Sequence, residues 1–210
     1  MGYIKCPICD LNYIKDDETK CSVCAGKSLP SKRGTRPLPT GDIIVLKQPV
    51  RHNGRAIFFV FQNKEYEKEF SEGYISAPYY AKGGMIPHHW QRLELVKKGD
   101  IILHGVVGHI LAISEAEGSC YDFTYSDGSK GRKINCKYYS LNRPLLTENY
   151  RKEIVHYCYG AEYQPFNKHG TGNQGYLFDI RREMAIIFIK EIVDRNPKLK
   201  AEQFIKDTLN

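Results

Sequence analysis

"VKKGDIILHGVVGHILAIS", residues 96–114, reads as a turn followed by two strands. "KKGD" has turn chemistry, with a glycine beside an aspartate. "IILHG" and "VVGHILAIS" are short apolar runs, rich in β-branched residues and joined at glycine. Runs of that length are too short for buried helices and suit strands.

Upstream, "AIFFVFQ" (56–62) is another apolar, β-branched and aromatic run, short enough for a buried strand. "NKEYEKEF" (63–70) is helix-like, with Asn63 as its N-cap. "YISA" is a short strand stopped by Pro78, and "PHHWQRLELV" (87–96) opens a helix on proline, with Trp90 and Leu93 on one face. Downstream, "CYDFTY" (120–125) and "RKINCKYYSL" (132–141) flank the turn "SDGSKG" as a hairpin should. "TENYRKEIVHYC" (147–158) is a capped helix, "TGNQGYLFDI" (171–180) a loop and strand, and "RREMAIIFIKEIV" (181–193) a closing amphipathic helix. About six short strands with helices at the sides and ends predict an α+β, barrel-like domain over residues 56–195. Residues 196–210 read as a tail or linker helix.

The N-terminal thirty residues are different. Of seven cysteines, Cys6, Cys9, Cys21 and Cys24 spell C-x2-C-x11-C-x2-C. Two tight knuckles aim four sulfurs at one point, which suits tetrahedral Zn2+. The loop "DLNYIKDDETK" between them is long enough for a hairpin. So short a segment buries too little core to fold alone, so the metal would supply the folding free energy. Four thiolates leave no open coordination position, which makes the zinc structural. A disulfide or a redox pair fits less well, since no export signal precedes the motif. Residues 1–30 therefore read as a four-cysteine zinc ribbon.

Residues 31–55, rich in Pro, Gly and basic side chains, read as a linker with a short strand. Lys32, Arg33, Arg36, Lys47, Arg51 and Arg55 stand there against Asp42 alone, a local +5 within a net charge of +7. Such a segment is either a solvated linker or a surface for a polyanion. No apolar run nears the roughly 18 residues of a membrane helix. With no secretory leader, a cytoplasmic protein is expected.

Catalytic signatures are missing from the sequence. "DDETK" (16–20) sits inside the cysteine hairpin, too cramped for a metal-dependent nuclease core, and "HHW" lacks the partners of a His-Asn-His centre. There is no P-loop and no Gly-x-Ser-x-Gly. The chain reads as a binding protein.

Three blocks carry a resemblance: "FFVFQNKEYEKEFSEGYISAP", "HHWQRLELVKKGDIILHGVVGHILAIS" and "GTGNQGYLFDI". In that order they resemble the EVE-like domains of the PUA superfamily, relatives of YTH domains, in the versions fused to nucleases in modification-dependent restriction systems. The likeness covers about residues 56–193, and "VKKGDIILH…GHILAIS" is its most specific part. It implies a mixed β pseudo-barrel whose pocket accepts one nucleobase turned out of its helix. That family usually carries Trp at the position of Ser76, so here Tyr74, Tyr79 or Tyr80 would supply that wall, or the pocket would fit a different base. The implied pocket comprises Gln62, Asn63, Tyr74, Ser76 and Trp90, with His104 and Gly105 at its floor or mouth. Trp90 on an apolar helix face is equally readable as core. Lys82, Lys130, Arg132, Lys133, Asn173 and Gln174 would face the nucleic-acid backbone. The implied partner is double-stranded DNA with a methylated or hydroxymethylated base, and a nuclease on a separate chain or segment. An RNA reader of YTH type, or a zinc-ribbon scaffold with a vestigial pocket, are the alternatives.

Overall fold

A computed structural model describes residues 3–5, 13–15, 46–81, 84, 86–158 and 163–209. The chain divides into two compact units, Met1–Ile44 and Val45–Asn210. In the first, strands β1 (Tyr3–Lys5) and β2 (Tyr13–Lys15) pair antiparallel, with Ile4 opposite Ile14. The expected hairpin thus draws on the segment ahead of Cys6. Cys6, Cys9, Cys21 and Cys24, and residues 31–45 of the basic segment, lie outside the described residues.

The second unit is built on a seven-stranded mixed sheet that curls into a half-barrel. Its strands are β3 (Ile57–Phe61), β4 (Tyr74–Pro78), β5 (Ile101–Val106), β6 (His109–Ala116), β7 (Tyr121–Thr124), β8 (Lys130–Leu146) and β9 (Leu177–Asp179). Neighbours run β4-β8-β6-β5-β3-β9, with β7 also paired to β8. Only β3 and β5 are parallel among these pairs. The bend has a local cause. Ile110 faces Leu145 but Ala112 faces Ser140, so β8 holds extra residues, Pro144 among them, against β6. A bulge of this kind bends and twists the strand and gives proline a place within the sheet.

Helix α1 (Tyr66–Glu72) follows a 3-10 turn over Asn63–Glu65. The expected N-cap is not made. Asn63 has φ +36°, and its Oδ1 accepts the amide of Val107 instead, pinning the β5–β6 turn. Gly73 ends α1 at φ +71°, the left-handed position that favours glycine. Helix α2 (His88–Gln91) continues as a 3-10 turn to Leu95, followed by α3 (Arg151–Cys158), α4 (Arg182–Arg195) and α5 (Gln203–Leu209).

Strand alternation sorts the core onto two faces. Ile57, Phe59, Ile101, Leu103 and Ile113 pack under α3, α4 and α5 with Phe188, Ile189 and Ile192. Phe204 and Ile205, in the segment expected as a tail, join that core at 3% and 2% exposure. Phe58, Val60, Ile75, Leu93, Ile102 and Ile134 form the other face, with Trp90 and Tyr176 packed partly buried against it. Among the described residues no helix is long and apolar enough to cross a membrane.

Candidate nucleic-acid interface

β3, β5 and α1 place a chain of polar side chains on the second face, where β-branched hydrocarbon would otherwise sit. His104 shares the face of Ile102 and is fully buried. Its Nδ1 lies 2.7 Å from Gln62 Oε1 and its Nε2 2.7 Å from Ser114 Oγ. Gln62 turns its Nε2 to Glu69 Oε2 at 2.6 Å and to the Tyr138 hydroxyl at 3.0 Å, so its Oε1 must accept from His104. His104 therefore carries a proton on Nδ1, and with its pKa lowered by burial to about 3 the ring is neutral.

Glu69 is the centre of the chain, 2% exposed. Tyr176 donates its hydroxyl to both carboxyl oxygens at 2.8 Å, and the Ser76 amide reaches Oε1 at 2.8 Å. The Ser76 amide also lies 3.0 Å from the Tyr176 hydroxyl. Burial raises the Glu69 carboxyl to about 7, against the donors Gln62, Tyr176 and Ser76, which favour the charged form. β4 and the segment before β9 end the sheet path without pairing each other, and the Tyr176–Ser76–Glu69 bonds bridge them. The curl is closed by side chains where the ladder stops.

Outward from Ser76 the side chains are partly exposed. Tyr125 donates to Ser76 Oγ at 3.1 Å. The Tyr176 amide donates to His89 Nδ1 at 3.1 Å, and the His89 ring packs edge-on to Trp90 with centroids 5.9 Å apart. Burial, followed by the neighbouring His88, lowers His89 to about 4, so it stays a neutral acceptor. Tyr125, Tyr176, His89 and Trp90 thus form a partly exposed aromatic rim linked to Ser76 through Tyr125 and Tyr176.

The remaining expected residues fall elsewhere. Tyr74 is buried, with Lys133 Nζ 3.6 Å above its ring, and burial pushes its hydroxyl up to about 12. Arg132 pairs with Glu94 and lies over Tyr79. Lys130 is exposed, and Lys82 lies outside the described residues. Gly105 packs where a Cβ would come within 2.4 Å of Phe59, so it serves the apolar core. Asn63, Asn173 and Gln174 meet at a second cleft of about 290 Å3 beside Phe61 and Gly108. Asn173 donates there to the Gln164 carbonyl at 2.8 Å. Glu69, Tyr125, Tyr138 and Tyr176 belong to the bonded chain and are not singled out by the sequence reading. A signal for Tyr176 is at hand, since "GNQGY" stands out for its amides and ends on that tyrosine.

No family model and no curated protein matches the chain. Among solved structures, Rpa0253 from Rhodopseudomonas palustris, an NMR structure, is 11% identical with a TM-score of 0.42, covering 70% of this chain and 99% of that chain. The YTH domain of Zygosaccharomyces rouxii MRB1, in complex with N6-methyladenosine RNA, is 12% identical with a TM-score of 0.43, covering 70% of this chain and 94% of that chain. Neither likeness transfers a residue role.

Proposed function

We propose that the half-barrel reads a modified base in nucleic acid, taking one extruded nucleotide at the Trp90–His89–Tyr125–Tyr176 rim. The observation that carries this reading is the pairing at the rim's centre. The Tyr176 hydroxyl both donates to Glu69 and lies within bonding distance of the Ser76 amide donor. An amino group beside a ring nitrogen, as on the Watson–Crick edge of cytosine or adenine, offers the same donor and acceptor. A guest base would therefore take that hydroxyl's place against Glu69 and Ser76, keeping both of those buried groups paired. Extrusion of a base costs a few kcal/mol, and stacking on aromatic rings returns roughly 1–3 kcal/mol per base. A methyl on the amino nitrogen keeps one N–H for the carboxylate and adds about 0.8 kcal/mol by burial, so shape must supply the rest of the selectivity.

The sequence resemblance to EVE-like domains supports double-stranded DNA as the substrate, with a nuclease on another chain or segment acting on what is read. The Cys6, Cys9, Cys21 and Cys24 spacing supports structural Zn2+ in the N-terminal unit. A test is anisotropy titration of labelled DNA and RNA oligonucleotides, single- and double-stranded, differing at one base. One modified base should bind best, and Trp90→Ala should reduce that preference several-fold. Equal affinity for altered and ordinary oligonucleotides of every kind would overturn the reading.

A further inference from the structure

A groove of about 740 Å3 opens where β9 runs into α4, lined by Lys47, His52, Gln164, Asp179, Arg181 and Arg182, over Ile57 and Ile180. We propose that this groove holds phosphodiester groups of the strand whose base is read at the rim. The inference rests on the reading above and assigns the path of the backbone.

Support comes first from the charge of the groove's own lining. Arg132 is paired with Glu94, Lys133 is stacked on Tyr74, Arg51 is bound to Asp100, and Arg55 to Glu115. Those cations are neutralised or covered within the fold. Lys47 and Arg181 are exposed on the groove, and neither forms an ion pair among the described residues. Arg182 is held by the Thr208 carbonyl at 2.7 Å, which satisfies a donor without cancelling its charge. Of the two carboxylates, Asp179 is bound by Arg92; burial raises its carboxyl above the ordinary value, against Arg92, Lys47 and Arg51, which favour the charged form. Among the residues lining the groove, Glu183 alone is left to oppose the cations.

The start of α4 favours an anion as well. α4 begins behind Arg181, whose backbone is extended (φ −57°, ψ +133°) and whose side chain makes no cap. The next residue is again Arg. Two cations at the positive end of a fourteen-residue helix are opposed to its dipole, with Glu183 in the first turn as the one favourable charge, and no capping side chain reaches from Arg181 to the first-turn amides. For helix stability alone, Ser or Asp would serve better at this position. An anion in the groove resolves the conflict, because it is attracted by the cations and by the amides together.

The groove is also continuous with the rim through Tyr163. Gln164 in the groove follows Tyr163, whose ring lies 4.8 Å from His88 and 5.4 Å from the Arg92 guanidinium carbon. His88 adjoins His89 and Trp90. A strand with one base at Trp90 therefore passes Tyr163 on its way to Lys47 and Arg181.

The test pairs Lys47→Ala with Arg181→Ser in the full chain, titrated with modified and plain labelled oligonucleotides at four salt concentrations. Arg181→Ser is expected to raise Tm, because it supplies the missing cap. Both changes together should weaken binding to all sequences alike and flatten the slope of log K against log salt by about 2, roughly one per lost phosphate contact. Preference for the modified base should remain. An unchanged slope with the preference intact overturns the groove and leaves the rim standing. A flattened slope with no base preference in the wild type sinks the rim and keeps a phosphate groove. Wild type that binds no oligonucleotide overturns both.

Discussion

The two faces of the half-barrel sheet are made by the same strands and filled by different chemistry. Under α3–α5 the buried side chains are hydrocarbon, as Phe59, Leu103, Phe188 and Ile192 show. On the opposite face Ser114, His104, Gln62 and Glu69 run in a bonded line to the rim at Ser76. Stability alone does not call for that line, because replacing a buried polar set with well-packed hydrocarbon is often neutral or favourable. That line lies on one face only and ends where four rings are partly exposed, which is why the binding role is proposed for this face. The other face holds the barrel together.

The largest effect should come from the apolar face. Phe188→Ala is expected to cost about 3–5 kcal/mol in urea denaturation, by lost burial and a residual cavity, with base preference kept wherever the protein folds. A loss well below about 1 kcal/mol would mean that this core is loosely packed.

On the polar face the effect should depend on pH. Glu69 titrates near 7 when folded, against 4.5 without burial. The folded state keeps a proton there that the unfolded chain loses between pH 4.5 and 7, so this contribution to stability falls as pH rises through that window. His104 and His89, lowered to about 3 and 4, act oppositely. The unfolded chain takes up protons below 6.5 that they refuse, and stability falls with acid. Glu69→Gln removes only the first contribution. Relative to wild type it should gain about 3 kcal/mol between about pH 4.5 and 8. A difference constant with pH would show that Glu69 is ionised at its usual value, and the contrast between the faces would narrow.

The smallest effect sharpens the border of the binding face. Lys133→Met keeps the aliphatic stem over Tyr74 and removes its charge, for a loss of about 0.5–1 kcal/mol in thermal unfolding and little change in oligonucleotide binding. A large drop in affinity would return Lys133 to the backbone-contacting set.

The strands are legible because alternation is local. "AIFFVFQ" and "IILHG" show both faces in their own letters, and His104 falls on the face of Ile102 by counting in twos. The end of β8 is not legible. The strand pattern stops at Leu141, but a bulge carries the pairing past Pro144 to Leu146. Glu69 is hidden for a related reason. In "NKEYEKEF" it resembles any solvent-facing helical glutamate, and what buries it is Ser76 and, a hundred residues away, Tyr176. Asn63 has the composition of a helix cap, whereas the β5–β6 turn takes its side chain. Pocket membership depends on contacts of this long range, which no window of sequence contains.

Trp90 is the only tryptophan in the chain, so its emission reports on the rim without a label. Titrating the full chain with duplexes that carry one modified base, or the same base unmodified, at fixed salt measures stacking at that position directly. The account predicts saturable quenching, with the modified duplex reaching half-saturation at the lower concentration. Unchanged Trp90 emission while labelled duplex binds would contradict it, and would move the binding face away from the rim.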